Sequence, residues 1–215
     1  MGEERAVATP YGDGRLVLAH ADHPTATLLL SHGAGKGIDA ADLAALAAGL
    51  PPMGVSVALL EQPWVVAGRK VASPPATLDV GLRAAAAVLA APAPLVVGGR
   101  SAGARSAARC ATELGAAGCL ALSFPLHPPG RPEKSRLDEL AGAGVPTLVL
   151  QGERDTMGRP EEFPDTLTGV RVVVLPHADH GLAVAARAPV TRAEVLRLVV
   201  DETAAWISSI LVGNH

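Results

Sequence analysis

The length, composition and charge of the chain limit what it can be. Its 215 residues, 49% of them hydrophobic, suffice for one domain with a core of ordinary size. Aromatic residues make up 2% of the chain and the net charge is −3, whereas nucleic-acid-binding proteins usually have a basic surface and aromatic side chains on which bases stack. We therefore expect no nucleic-acid partner.

The N-terminal segment and the most apolar region both argue against export or membrane insertion. Residues 1–14 are partly acidic and have no apolar stretch after a basic start, unlike a secretory signal. The apolar region 84–97 is interrupted by two prolines, so it should not cross a bilayer as one helix. Cys110 and Cys119 are expected to be buried thiols in a reducing compartment. We expect a cytoplasmic protein with no membrane partner.

Short apolar segments alternate with amphipathic segments along the chain. The predicted strands are Leu16–Ala19, Ala26–Leu30, Val55–Leu60, Leu95–Val97, Cys119–Leu122, Thr147–Leu150 and Val172–Leu175. The predicted helices are Ala40–Leu50, Thr77–Ala90, Ala102–Leu114, Leu137–Ala141 and Arg192–Leu211. Most strands are apolar without alternation, which is typical of strands buried on both faces. This order predicts an α/β fold, a three-layer α/β/α sandwich with a mostly parallel sheet, formed by a single domain over residues 1–215.

A serine motif lies between the fourth predicted strand and the helix that follows it. Gly99-Arg100-Ser101-Ala102-Gly103 matches G-x-S-x-G, in which the glycines relieve crowding at a sharp, strained turn that exposes the serine hydroxyl. In a parallel sheet, ligands bind at the carboxyl ends of the strands, where this turn lies. Ser101 is therefore a candidate nucleophile. The alternative is that Ser101 only caps the following helix.

The two groups that would activate such a serine follow later strands. Asp155 ends "VPTLVLQGERD" and His180 lies in "VVVLPHADHG", so the order is serine, acid, histidine. Three alternatives stay open. Asp155 can end a strand or cap a turn. His177 and Asp179 compete with His180, and "HADH" can indicate a metal site, although no second cluster of ligands accompanies it.

Two backbone N–H groups are candidates for stabilising an oxyanion. One belongs to Ala102, directly after the candidate nucleophile, and the other to Ala34 in "SHGAGKG", where flanking glycines permit close approach to a substrate. That loop also resembles a phosphate-binding loop. However, Leu30 and Gly37 depart from the P-loop pattern and Ile38 from the dinucleotide pattern, which leaves nucleotide binding as a minor alternative.

Four segments together resemble the α/β-hydrolase superfamily: "LLLSHGAGKG", "GGRSAGAR", "LVLQGERD" and "HADHG". "SFPLHPPGRPEKSR" and "EQPWVVAGRK" are similar to a small lidless branch related to dienelactone hydrolases, which includes the hydrolase-like region of a subunit of the non-specific-lethal histone acetyltransferase complex. The resemblance implies a sheet of eight strands or slightly fewer, and a triad of Ser101, Asp155 and His180. Some members of that branch serve as scaffolds instead of catalysts.

Two proline-rich loops are the only connections long enough to overhang Ser101, which leaves no room for a cap domain. Their basic residues are candidate substrate-binding groups that would receive a carboxylate or phosphate. These residues are Arg69, Lys70, His127, Arg131 and Lys134. The alternative is that these charges only face water.

The pattern as a whole predicts a serine hydrolase acting on an ester or related acyl group of a small-molecule substrate. No cofactor and no metal is expected. The alternative function is a non-catalytic scaffold or binding protein with the same fold.

Overall fold

A sheet of eight strands runs through the middle of the molecule. The computed structural model describes residues 3–35, 37–91 and 93–213. The strands are β1 (Glu3–Val7), β2 (Gly14–Ala19), β3 (Ala26–Ser31), β4 (Val55–Glu61), β5 (Leu95–Arg100), β6 (Gly118–Leu122), β7 (Thr147–Gly152) and β8 (Val170–Leu175). Their order is β1-β2-β4-β3-β5-β6-β7-β8. β2 is antiparallel to β1 and β4, and the remaining neighbours are parallel.

Helices cover both faces of the sheet. They are α1 (Ala41–Gly49), α2 (Pro63–Val66), α3 (Pro75–Leu89), α4 (Ala102–Cys110), α5 (Leu137–Ala141) and α6 (Arg192–Val212). Leu28 and Leu30 of β3 pack in one apolar cluster with residues of α1 and α6, whereas Leu29 packs in a second cluster with residues of α3 and α4. Successive residues of a strand point to opposite faces, so a strand covered on both faces is apolar throughout. The predicted three-layer α/β/α sandwich is confirmed.

Every predicted strand and helix is present, with ends that differ by a few residues. Among the described residues, one strand and one α-helix, together with three 3-10 turns, were not predicted. β1 is an edge strand whose sequence, "EERAV", is mostly charged and exposed, so it lacks the apolar pattern of a buried strand. α2 has only four residues. The helix predicted to reach Leu114 ends at Cys110, and turns lead from there to Gly115, whose φ is +60°.

No separate cap domain lies above the sheet within residues 3–35, 37–91 and 93–213. The connection between β6 and β7 holds only a 3-10 turn, Pro132–Lys134, and the short α5. Among the helices described here, none has the length and apolar character required to span a membrane. Because no cap domain covers them within the described residues, the carboxyl ends of the parallel strands open directly onto the surface.

Candidate active site

Ser101 lies on the sharp turn between β5 and α4. Its φ is +53°, a value that is strained for a residue with a side chain. Its side chain does not cap α4, so the helix-cap alternative is not what the structure shows. A Cβ added to Gly103 would lie 2.2 Å from the carbonyl oxygen of Ser31. The second glycine of the motif is thus required because α4 begins directly against β3.

Ser101, His180 and Asp155 form a hydrogen-bonded row. The Ser101 Oγ lies 3.0 Å from Nε2 of His180, and Nδ1 of His180 lies 2.8 Å from Oδ2 of Asp155. Asp155 is completely buried, whereas His180 is about a quarter exposed. An ionised carboxylate can only accept hydrogen bonds, so Nδ1 carries the proton and Nε2 can accept one from the serine hydroxyl. The structure therefore brings together the three side chains that the sequence singled out.

Asp155 is held by two further donors. The backbone N–H of Met157 donates to Oδ1 at 2.8 Å, and the side-chain amide of Gln151 donates to Oδ2 at 3.0 Å. Gln151 is itself fully buried at the end of β7. Sequence reasoning missed it, although a glutamine inside the apolar run "TLVLQG" was a usable signal, since buried amides are almost always hydrogen-bonded.

The loop after β8 presents His180 and not His177. The Nδ1 of His177 lies 3.6 Å from a carboxylate oxygen of Glu153, and its backbone N–H donates to the same group at 2.6 Å. Asp179 accepts from the backbone N–H groups of Gly181 and Ala183, both at 2.8 Å. Asp179 thus shapes the loop. Over the ranges that the structure describes, no three histidine, cysteine, aspartate or glutamate side chains gather as metal ligands.

The loop after β3 passes close to Ser101. A Cβ built on Gly33 would lie 3.3 Å from the Cβ of Ser101. The neighbouring Ala34, one of the two candidate oxyanion donors, lines the pocket beside the serine. The other donor, the N–H of Ala102, belongs to the first turn of α4, where amides have no partner within the helix. Lys36 of this loop lies outside the described residues.

His32 fixes the start of that loop. Its Nδ1 lies 2.8 Å from the carbonyl oxygen of Gly33, and its Nε2 accepts the backbone N–H of Gln62 at 3.0 Å. Burial lowers the pKa of His32, so the neutral ring with hydrogen on Nδ1 satisfies both contacts. The carbonyl of Gly33 and the N–H of Ala34 share one trans peptide and point in opposite directions. Holding the carbonyl therefore turns the Ala34 N–H away from His32.

A pocket of about 410 Å³ lies beside Ser101 and His180. Small residues form most of its wall, together with the side chain of Met157. Its charged lining residues are Asp42, Arg100 and Arg192.

The basic loop residues do not line this pocket. Arg69, Lys70 and Lys134 are exposed to solvent, and Arg131 lies 3.7 Å from Glu133. His127 is buried. Its Nδ1 lies 2.8 Å from the carbonyl of Pro128 and its Nε2 lies 2.9 Å from Glu162. The Pro128 hydrogen bond, supported by the Glu162 carboxylate, raises the pKa of His127. The structure thus does not bring these residues to Ser101, and their contact with substrate stays a prediction.

Comparison with known proteins places this geometry in a family. The α/β-hydrolase domain model matches residues 24–208. No curated protein sequence matches the chain. An α/β serine hydrolase homologue from Coxiella burnetii superposes with a TM-score of 0.75 and 18% identity, over 93% of this chain and 96% of that one.

Two further structures agree with the expected branch. A lidless α/β serine hydrolase from Xanthomonas campestris gives a TM-score of 0.72 at 17% identity, over 95% of this chain and 94% of that one. The dienelactone hydrolase from Anabaena variabilis gives 0.74 at 18% identity, over 97% of both chains. The fold implied by the resemblance to lidless, dienelactone-hydrolase-like α/β hydrolases is therefore confirmed. Because the family model covers most of its length, the chain belongs to the α/β-hydrolase domain family.

Proposed function

We propose that the protein is a serine hydrolase that cleaves carboxylic esters or thioesters of small molecules. The observation that carries this proposal is the row from Ser101 Oγ through the His180 ring to Asp155, with spacings of 3.0 and 2.8 Å. A serine hydroxyl is a poor nucleophile unless a base oriented by a third group lies within hydrogen-bond reach. The row supplies both groups.

In the first half of the reaction, Ser101 Oγ attacks the acyl carbonyl carbon while its proton moves to Nε2 of His180. Asp155 keeps the His180 proton on Nδ1 and stabilises the imidazolium that forms. His180 then gives the proton to the leaving alcohol or thiol. The product of this half is an acyl ester on Ser101.

In the second half, His180 takes a proton from water, and the resulting hydroxide adds to the acyl carbon of the ester on Ser101. The bond between that carbon and Ser101 Oγ then breaks, His180 returns its proton to Oγ, and the free carboxylic acid leaves. Each half passes through a tetrahedral oxyanion. We assign its stabilisation to the backbone N–H groups of Ala34 and Ala102. Ala34 lines the same pocket as Ser101, and Ala102 directly follows Ser101 at the start of α4, which supports this role. One donor of this kind contributes roughly 3 kcal/mol in serine hydrolases.

The pocket favours short acyl groups. Its volume of about 410 Å³ is at the small end of ligand sites. Across the described residues no cap closes over it, so the leaving group extends into solvent and is weakly selected. We therefore expect the acyl part to decide which substrates are cleaved.

A fluorophosphonate probe and a panel of short p-nitrophenyl esters and acyl thioesters test the proposal. We expect the probe to label the wild type and not Ser101→Ala, and Ser101→Ala to lower kcat by about 10³-fold or more. Ser106→Ala is the matched control, since Ser106 is buried on α4 and its hydroxyl bonds to none of the described residues. Folded wild type that resists the probe and hydrolyses none of the panel would instead support the scaffold function.

A further inference from the structure

The loop that carries His180 is held by arginine side chains as well as by backbone hydrogen bonds. It runs from the end of β8 to the start of α6 without helix or strand. Two guanidinium groups donate to three consecutive carbonyl oxygens in it. Arg100 donates to His180, and Arg192 donates to Leu182 at 3.1 Å and to Gly181 at 3.4 Å. The carbonyl of the base residue is thus bonded by the residue that directly precedes Ser101.

Arg100 is fixed from its other side by Asp42. Its Nε lies 2.9 Å from Oδ2 of Asp42, in the first turn of α1, and the two side chains are 14% and 2% exposed. The contact is an ion pair without hydrogen-bond geometry, since Asp42 Oδ2 accepts no hydrogen bond from the described residues. Separating the pair would leave a buried carboxylate without a countercharge, which costs several kcal/mol. Burial raises the pKa of Asp42, and the charge of Arg100 opposes that rise.

We propose that Arg100 is a positioning residue of the catalytic row, with Asp42 as its anchor. The inference rests on the proposed hydrolase function. Arg100 ends β5 and directly precedes Ser101, so its backbone moves with the nucleophile. Its guanidinium bonds the backbone of His180. One residue therefore sets the distance between nucleophile and base, and an error of about 1 Å in such a distance can cost on the order of 10²-fold in rate.

The competing explanation is that Arg100 only neutralises a buried carboxylate. Replacing Arg100 alone does not distinguish positioning from neutralisation. Asp42 would then be buried and unpaired, so the variant would be destabilised under either explanation. The double variant Asp42→Leu with Arg100→Met removes both charges and roughly keeps the volume. Replacing a buried ion pair by apolar residues of similar size is often neutral or stabilising. The double variant should therefore fold while the carbonyl of His180 loses its donor.

The test measures kcat and KM of the double variant with a short ester, together with its thermal unfolding and the low-field proton signal of His180 Nδ1–H. We expect a cooperative unfolding transition, a kcat lowered by about 10–100-fold, a smaller change in KM, and a weakened or broadened low-field signal. Loss of the signal in Asp155→Asn assigns it. Arg83→Met is the control, since Arg83 of α3 pairs with Glu113 in the turns that follow α4.

Two results would overturn the inference. One is a folded double variant with wild-type kcat and an unchanged low-field signal. The other is a rise in KM alone, which would make Arg100 a wall of the pocket only. If the wild type hydrolyses nothing, the proposed function fails, but the low-field signal still reports whether Arg100 holds His180.

Discussion

The side-chain amide of Gln151 lies 3.0 Å from Oδ2 of Asp155, the oxygen that also accepts from His180. The same amide lies 3.2 Å from the carbonyl oxygen of Phe124 and 2.7 Å from that of Gly158. Gln151 thus joins the ends of β6 and β7 to the turn that follows Asp155. Gln151 thus positions Asp155 through its side chain, just as we propose that Arg100 positions His180 through its backbone carbonyl.

Replacing Gln151 should therefore weaken both the fold and the site. We expect Gln151→Met to destabilise the protein by about 1–3 kcal/mol, because the buried carbonyl of Gly158 loses its donor, whereas that of Phe124 keeps the backbone N–H of Leu126. We expect kcat to fall about tenfold as the Asp155 carboxylate becomes less well oriented. Urea unfolding and ester kinetics measure the two effects.

A second substitution at position 151 tests the effect of charge while the shape of the side chain stays the same. Gln151→Glu keeps the shape but places a second carboxylate beside Asp155, and two adjacent carboxylates resist ionising together. We expect a larger loss of kcat than in Gln151→Met. Equal kcat values in Gln151→Glu and the wild type would show that Gln151 does not control the acid.

Asp155→Asn keeps every heavy-atom position but should prevent His180 from acting as the base for Ser101. The N–H of Met157 favours the amide oxygen at the Oδ1 position, which turns the amide NH2 toward His180 and toward the side-chain NH2 of Gln151. We expect the Gln151 amide to give way, because its oxygen accepts from none of the described residues and can turn to accept from the asparagine. His180 then accepts at Nδ1 and carries its proton on Nε2, where it cannot take the proton of Ser101. We expect kcat to fall by about 10⁴-fold. Asp165→Asn, on the surface, is the control, and a loss below tenfold in Asp155→Asn would contradict the assigned role.

Much of the fold was predictable because burial on both faces leaves a local signal. Strands such as β3 are apolar without interruption, and the helices between them repeat apolar residues on one side. β1 escaped prediction because an edge strand with charged residues carries no such signal. The end of α4 was predicted four residues too late, because the turns between Cys110 and Gly115 keep the apolar spacing of the helix.

That Ser101, His180 and Asp155 lie in one row was predictable for a topological reason. Parallel strands end at one edge, so residues that directly follow β5, β7 and β8 meet there. The supporting contacts were not predictable, because they depend on where side chains point. Arg100 bonds Asp42 and His180, which are remote from it in the chain. The basic loop residues were chosen from loop length, and loop length does not say which way a long loop turns.

Gly103→Ala should be strongly destabilising. The new Cβ would lie 2.2 Å from the oxygen and 2.6 Å from the carbon of the Ser31 carbonyl. Backbone cannot yield as a flexible side chain can, so α4 must move away from β3. We expect a loss of about 1–3 kcal/mol in urea unfolding and a matching loss of activity, since Ser101 moves with α4.

Gly213→Ala provides the comparison for that substitution. The nearest atom to its added Cβ lies 3.5 Å away and its φ is −75°. Its effect should stay within about 1 kcal/mol of zero. Equal stabilities of the two variants would show that the contact between α4 and β3 is not as tight as described.

His32 should make the fold sensitive to acid. Burial lowers its pKa in the folded protein, whereas in the unfolded chain it takes up a proton near pH 6.5. Below about pH 6.5, unfolding therefore binds a proton, and the free energy of unfolding falls as the pH falls, by up to ~1.4 kcal/mol per pH unit. His32→Asn removes this contribution while keeping a donor for the Gly33 carbonyl.

The comparison is urea unfolding at several pH values between about 7 and 5. We expect His32→Asn to be less stable than the wild type at pH 7, because the N–H of Gln62 loses its acceptor, and the difference to narrow in acid. His23→Asn, at an exposed position, is the matched substitution. Parallel curves for His32→Asn and the wild type would contradict the prediction.

We expect the protein to cleave acidic esters faster than neutral ones, and we expect the residues responsible to depend on the length of the acyl group. Arg192 lines the pocket beside Ser101, whereas Arg69 and Lys134 do not. A short acidic ester such as p-nitrophenyl hemisuccinate should therefore be cleaved with a higher kcat/KM than the butyrate of equal chain length, by roughly threefold to tenfold, and salt should reduce the difference. Arg192→Met should abolish it. Arg69→Ala and Lys134→Ala should raise KM only for acidic esters long enough to leave the pocket, and equal rates for hemisuccinate and butyrate would remove the preference altogether.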